Sequence, residues 1–349
     1  MITFYPGPSK IYPAVEGYLQ DAFKTGVLSL NHRSTAFMDI VRQTIDLLHQ
    51  KLNIPVDYSV YFTSSATECW EIVAQSLTQN QSTHFYNGAF GQKWFEYADK
   101  LVSHAQGHRF EIESLFSDSF VSNIKSEIIC LTHNETSNGT FISTDILQKI
   151  RKNTDALIAI DATSSLGGVV LDWQLADVWF ASVQKCLGLP AGMGIMVCSP
   201  TALVRATQIN DRQYYNSLLF IDDNFKKHQT HYTPNTLAIY LLMRTLDNID
   251  NIADIDLITT KRAADWYKFI ETQTDWQLLI QNPAVRSPTV IAVSGTEQQV
   301  KAMKQKCAKA DIVLGNGYGH WQANSFRIAN FPAIESWEIE KLMAILNKN

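Results

Sequence analysis

Val183-Gln184-Lys185-Cys186-Leu187-Gly188-Leu189-Pro190-Ala191-Gly192 lies beyond the apolar run Ala156-Leu157-Ile158-Ala159-Ile160, and Asp161, which closes that run, stands twenty-four residues before Lys185. The run is too short for a typical helix and rich in branched side chains, so it reads as a buried strand. Asp161 then falls at the carboxyl end of a strand, where open α/β sheets bind their ligands. Lys185 sits in a short loop with small residues that can bring an amine close to an aldehyde in a shielded cleft. An amine that condenses with an aldehyde must be uncharged near neutral pH, which burial achieves. A carboxylate against a pyridine nitrogen keeps that nitrogen protonated by charge pairing. Together the two residues point to pyridoxal phosphate chemistry. Each alone is more simply a solvated lysine and a helix-capping aspartate.

Working outward, Tyr58 to Phe62, Ser82 to Tyr86, Glu127 to Thr132, Ala156 to Asp161, Val178 to Ser182 and Gly194 to Cys198 read as short strands. Helical patterns over Thr67 to Leu77, Gly91 to Ser103 and Thr144 to Arg151 separate several of them. Strand and helix in repetition predict an α/β unit with a mostly parallel sheet covered on both faces. From about Ile255 the pattern changes. A helix over Ile258 to Glu271 leads to strands at Gln277 to Ile280 and Thr289 to Val293 and a helix over Glu297 to Lys309. Strands at Asp311 to Leu314 and Ser325 to Ala329 and a helix near Glu335 to Leu346 complete a smaller α+β unit.

The 349 residues suggest about two domains, and 46% hydrophobic residues suffice for a large core. A formal net charge of -5 with 18% charged residues gives no basic field for nucleic acid, so the expected ligand is small. The five cysteines, Cys69, Cys130, Cys186, Cys198 and Cys307, show no Cys-x-x-Cys spacing and read as free buried thiols. No stretch is long enough to span a membrane, and Met1 to Pro6 carries no basic segment followed by an apolar one. A cytoplasmic protein is expected.

Phe62-Thr63-Ser64-Ser65-Ala66-Thr67-Glu68 places small residues between a strand and a helix, a geometry that offers backbone amides to a phosphate. Thr67 can add a hydroxyl, and Glu68 suits the helix dipole while pointing away from the anion. Gly315-Asn316-Gly317-Tyr318-Gly319 precedes a late strand instead of opening an early βαβ unit, and reads as a flexible turn. His104 and His108 are spaced i,i+4, but no third ligand accompanies them, so they read as solvated and no metal is expected. Cys307 falls inside a helical pattern, which argues against a mobile, reactive thiol.

The ordered set of motifs resembles the class-V aminotransferases of the fold-type I pyridoxal phosphate enzymes, most closely their phosphoserine branch. It runs from Tyr5-Pro6-Gly7-Pro8-Ser9 through Asn31-His32-Arg33, Ser64-Ser65-Ala66-Thr67-Glu68, Asn87-Gly88-Ala89-Phe90-Gly91 and Asn134-Glu135-Thr136. It continues through Asp161-Ala162-Thr163, Ser182-Val183-Gln184-Lys185 and Tyr232-Thr233-Pro234 to Phe326-Arg327-Ile328.

The resemblance implies a large domain over 15–254, with a mostly parallel sheet of the seven-stranded type flanked by helices. A small domain would be formed by 1–14 and 255–349. It also implies that Lys185 and Asp161 are catalytic, and that Ala66, Thr67, Phe90, Thr136, Thr163, Gln184, Tyr232 and Thr233 hold pyridoxal 5'-phosphate alongside them. Phe90 would stack on the ring, and Tyr232 and Thr233 would reach the neighbouring subunit of a homodimer with shared active sites. Arg327 would take the substrate α-carboxylate, and His32, Arg33 and His320 a substrate phosphate. The implied reaction is amino transfer between L-glutamate and 3-phosphooxypyruvate. The alternatives are transamination of small amino acids with glyoxylate or pyruvate, or a silent binding protein of the same fold. The chain departs from the branch in two places. Ala66-Thr67-Glu68 lacks the arginine often found after the phosphate turn, and Tyr232 stands where an asparagine is usual.

Overall fold

The computed structural model describes residues 1–102, 104–114 and 124–347. The chain opens with strand β1 (Ile2–Phe4) and helices α1 (Val15–Lys24) and α2 (Thr35–Leu52). Strand and helix then alternate through β2 (Ser59–Thr63), α3 (Ala66–Leu77), β3 (Ser82–Tyr86), α4 (Ala89–Leu101) and β4 (Ala105–Arg109). Next come β5 (Ile128–Thr132), the hairpin β6 (Asn134–Glu135) and β7 (Thr140–Phe141), α5 (Thr144–Lys152), β8 (Leu157–Asp161), β9 (Val178–Ser182) and β10 (Gly194–Cys198).

Seven of these strands form one sheet in the order β2-β10-β9-β8-β5-β3-β4. All neighbouring pairs are parallel except those made by β10, which runs antiparallel to β2 and β9. Near-continuous apolar runs such as Leu157-Ile158-Ala159-Ile160 are what a sheet buried on both faces requires. The register places Thr132 beside Asp161, while Gly194, at the start of antiparallel β10, pairs with both Thr63 and Ser182. The carboxyl ends of the parallel strands, the loops after them and the start of α3 thus converge at one end of the sheet.

The remaining helices are α6 (Pro200–Ile209), α7 (Leu218–Phe225), α8 (Thr236–Asn248) and α9 (Ile252–Glu271). A second sheet follows, built from β11 (Gln277–Leu278), β12 (Val290–Ser294), β13 (Ile312–Asn316) and β14 (Ser325–Ala329), with α10 (Glu297–Lys309) and α11 (Ser336–Leu346) packed against it. Its order is β1-β13-β14-β12-β11, so the first strand of the chain completes the sheet of the last. Phe4 packs edge-on to Trp266 in a separate apolar core that also contains Phe326, Ile328 and Leu342. All five cysteines are free and buried.

Several boundaries differ from the sequence expectation for identifiable reasons. Strand β4 is an edge strand whose residues are largely exposed, so it carries no apolar alternation to read. Helix α9 begins six residues before Ile258, behind Asn251. Gly315 and Asn316 belong to β13, where they pair with Arg327 and Phe326, so the glycine-rich run is half strand and not wholly a turn. The expected helix end at Ser103 lies outside the described residues. No described helix is long and apolar enough to cross a membrane.

Candidate active site

The loop after β9 carries Lys185 into the interior. Gly188 has φ +59°, a left-handed conformation that glycine adopts without steric cost, and its amide bonds back to the Lys185 carbonyl at 3.0 Å. The Gly188 carbonyl accepts the Tyr12 amide at 2.9 Å, and the Gln184 carbonyl accepts that of Ser9 at 3.0 Å. The N-terminal segment is thereby laid across the lysine. A side chain at Gly7 would begin only 2.9 Å from the Lys185 Cε.

The Lys185 ammonium is 6% exposed and donates to the hydroxyls of Thr136 at 2.7 Å and Ser164 at 2.8 Å. Burial lowers its pKa to about 8. Asp161 and Glu135 oppose that shift, and Arg327 adds to it. The nitrogen lies 5.1 Å from the centre of the Phe90 ring. Asp161 accepts the Thr163 amide at 2.9 Å and is buried, which pushes its carboxyl up against the lowering effects of Thr163, Lys185 and Trp70. A buried amine with a depressed pKa opposite a buried carboxylate is the electrostatic arrangement that functional sites build.

Two helix starts face this pair. At α3 the Ser65 hydroxyl accepts the Glu68 amide at 3.1 Å, and the Ala66 amide donates to Ser182 Oγ at 3.2 Å. Glu68 is absent from the cavity wall, in keeping with a side chain that points away from the anion. Its carboxylate folds back on the Ser64 amide and hydroxyl at 2.6 and 2.8 Å, accepts the Tyr215 hydroxyl at 2.8 Å, and is 8% exposed. Turning back satisfies the charge locally and braces the turn, leaving Ala66 and Thr67 at the cavity wall. At α4 the buried Glu135 carboxylate accepts the Phe90 and Gly91 amides at 3.2 and 3.1 Å and the Ser137 amide at 3.0 Å. An anion in that position complements the helix dipole and holds Phe90 in place.

Arg327, on β14, is 5% exposed and forms no ion pair among the described residues. Its Nε donates to the Asn316 carbonyl and one terminal nitrogen to the Thr136 carbonyl, both at 2.7 Å. Burial lowers its pKa while Tyr5, Glu135 and Tyr318 oppose the shift.

These groups line one cavity of about 420 Å³, a size typical of cofactor and small-molecule sites. It brings together Ala66, Thr67, Phe90, Thr136, Asp161, Thr163, Gln184, Lys185 and Arg327. Within it, Thr132 Oγ1, Asn134 Nδ2, Thr163 Oγ1 and Gln184 Oε1 are buried polar atoms without a partner in the chain. Such atoms normally find a ligand, protein or water partner, and their concentration here fits a polar aromatic cofactor between Asp161 and Lys185. The residues present therefore suit pyridoxal phosphate.

Five expected site residues lie outside the cavity. Arg33 is exposed and bonded to Gln229 at 2.7 Å, His32 adjoins it, and Tyr232 and Thr233 stand on the segment before α8. His320 lies against the Trp321 ring and lines a neighbouring hollow shared with Tyr318. His104 and His108 are exposed, and no metal-holding cluster occurs among the described residues. Conversely, Trp70 and Lys93 line the cavity though no sequence motif named them, and Tyr5 and Tyr318 line it though they stood only within a motif and a turn, with no site role. Helical spacing held part of that signal, since Trp70 follows Thr67 by three residues and Lys93 follows Phe90 by three.

Comparison with known proteins agrees with this geometry. Residues 100–330 match the family model described as Aminotransferase class-V. The chain superposes on a phosphoserine aminotransferase from Cytophaga hutchinsonii with TM-score 0.94 and 31% identity, over 99% of this chain and 98% of that one. The phosphoserine aminotransferase of Rhodococcus opacus (strain B4) is 28% identical over 347 residues, 96% of this chain and 91% of that protein. A pyridoxal phosphate-bound phosphoserine aminotransferase from Trichomonas vaginalis shares the fold at TM-score 0.79 and 16% identity, over 99% of each chain. With its sheet, its buried lysine and aspartate and its matched span all in agreement, the chain belongs to the class-V aminotransferase family, an enzyme family whose membership implies pyridoxal phosphate as cofactor.

Proposed function

We propose that the enzyme transfers an amino group between L-glutamate and 3-phosphooxypyruvate, giving L-phosphoserine and 2-oxoglutarate. The observation that carries this reading is Arg327, a buried guanidinium without a carboxylate partner that opens on the same cavity as Lys185. A planar cation so placed recognises a substrate carboxylate through two parallel hydrogen bonds. Similarity to phosphoserine aminotransferases along nearly the whole chain supports the choice of substrate.

Bound between Asp161 and Lys185, pyridoxal phosphate supplies an electron sink for charge developing at the substrate α-carbon. Asp161 holds a proton on the pyridine nitrogen. Lys185, whose amine is easily neutralised, carries the α-proton as general base and acid. Phe90 would cover the ring face, Ala66 and Thr67 would present the helix start to the phosphate, and Thr136, Thr163 and Gln184 would complete the polar lining.

A homodimer completes the site in this reading. His32, Arg33, Tyr232 and Thr233 lie apart from their own cavity, with Tyr232 joined through the His231 ring to the exposed Tyr215, and would serve the cavity of a second protomer. His320 would join them at the substrate phosphate.

The test is the visible spectrum of the cofactor-loaded enzyme as L-phosphoserine, L-glutamate and L-alanine are added separately. Conversion to the amino form of the cofactor by phosphoserine and glutamate, and by alanine only slowly and at high concentration, is expected. Conversion by alanine alone would move the assignment to small neutral amino acids, a reading favoured by the absence of an arginine from Ala66-Thr67-Glu68. No conversion by any of them would leave a silent binding protein.

A further inference from the structure

Lys93 and Tyr318 form a feature of the cavity wall that the reaction chemistry above does not use. Lys93 lies on α4 one turn beyond Phe90, so its stem rises from the same helix face toward the outer part of the cavity. Its ammonium donates to the Tyr318 hydroxyl at 3.0 Å and forms no ion pair among the described residues. An ammonium carries three donors, so this bond leaves two for a ligand. The Tyr318 ring also faces Arg327, with its centre 5.5 Å from the guanidinium carbon and 5.7 Å from the Lys93 nitrogen. One ring thus separates two cations that open on a single cavity.

No carboxylate forms an ion pair with either cation among the described residues, although Glu135 lies near enough to Arg327, and Glu96 to Lys93, to favour their charged forms. Asp161 takes the Thr163 amide, and Glu135 takes the amides at the start of α4. The cavity wall carries Lys93, Lys185 and Arg327 against the single carboxylate of Asp161, an excess of positive charge with Arg327 buried and Lys93 at the mouth. That pattern matches a substrate with two anionic ends.

We propose that Lys93, oriented by the Tyr318 hydroxyl, is a specificity-determining residue that binds the distal anion of a dianionic amino acid whose α-carboxylate lies on Arg327. This inference rests on the amino-acid site proposed above, but not on phosphoserine being the substrate.

The experiment compares kcat and KM of the holoenzyme for L-phosphoserine and L-alanine in the wild type, Lys93→Met, Lys93→Arg and Tyr318→Phe. Lys93→Met is expected to lower the phosphoserine-to-alanine ratio of kcat/KM roughly fivefold to tenfold, chiefly through the KM of phosphoserine. Lys93→Arg should restore most of the ratio, and Tyr318→Phe should shift it in the same direction by less. Equal losses for both substrates, or none for either, would overturn the proposal. If the wild type ignores phosphoserine, the proposed reaction fails, and L-aspartate against L-alanine then makes the same comparison. Selective loss with aspartate supports the subsite, whereas an unchanged ratio, or a wild type indifferent to both dianions, removes it.

Discussion

The carboxylate of Glu135 stands 3.2 Å from the backbone amide of Phe90, tying the first turn of α4 to the β6–β7 hairpin. The same carboxylate takes the Gly91 amide and both donors of Ser137, and it is 1% exposed. Glu135→Ala would leave several buried donors without an acceptor, an expected cost of about 3 kcal/mol, whereas Glu135→Gln should cost about 1 to 2 kcal/mol. Urea unfolding of the two variants reads the difference. A wild-type midpoint in Glu135→Ala would show that the bonds do not hold the helix start.

Lys185 gives the cofactor-free protein a pH dependence whose sign follows from its burial. Its pKa falls from 10.5 to about 8, so above pH 8 the folded protein has released a proton that the unfolded chain still binds. Stability should therefore rise between pH 8 and 10.5, by about 3 kcal/mol at most for this group, and the cost of the buried charge is fully present below pH 8. Lys185→Met removes that contribution, so the difference in stability between variant and wild type should narrow or reverse across this window. Parallel curves for the two proteins would show that the amine is not depressed. The same variant should lose turnover altogether.

Asp161 should show its charge through kinetics more than through folding. Asp161→Asn keeps the shape and the bond from the Thr163 amide, but it removes the anion that holds a proton on the pyridine nitrogen. We expect kcat to fall by roughly a hundredfold or more, with substrate KM changing far less. A KM effect without a kcat effect would place Asp161 outside the chemistry.

The placement of Asp161 at the end of β8 and of Lys185 in the loop after β9 was legible because short apolar runs report buried strands directly. The pairing of β1 with β13 was not legible from local pattern, since it joins Ile2 to Ile312 across almost the whole chain. Strand β4 was silent for the opposite reason, as an exposed edge carries no apolar period. Gly315 and Asn316 have turn chemistry but lie in a strand because Arg327 and Phe326 pair with them. Glu68 read as a simple dipole partner, and its actual role depends on Tyr215, 147 residues further on. Lys93 and Tyr318 meet only after two remote parts of the chain are brought together.

Gly194 tests the contact between the antiparallel strand and the phosphate turn. A Cβ at this position would meet the Ser65 carbonyl carbon at 2.6 Å and its oxygen at 2.8 Å, as well as the Thr63 hydroxyl. Two of these atoms are backbone, so Gly194→Ala must displace the turn that carries Ala66 and Thr67. The expected result is weaker retention of pyridoxal phosphate, by roughly tenfold in dissociation constant, with most of the fold stability kept. Equilibrium dialysis measures the first and thermal unfolding of the cofactor-free protein the second. Unchanged retention would mean that the turn is not part of the phosphate site.

Arg327 provides the sharpest test of substrate orientation, because its role requires a planar fork and not merely a positive charge. Two of its donors are fixed by the Asn316 and Thr136 carbonyls, which aim the guanidinium while Tyr318 covers it. A lysine in its place would keep the charge but could not both hold these carbonyls and grip a carboxylate bidentately. Arg327→Lys is therefore expected to raise KM for every amino acid substrate, by roughly tenfold to a hundredfold, regardless of the side chain. That uniform loss contrasts with the side-chain-dependent loss expected at Lys93. An effect at Arg327 confined to dianionic substrates would reverse the two assignments and turn the substrate end for end in the cavity.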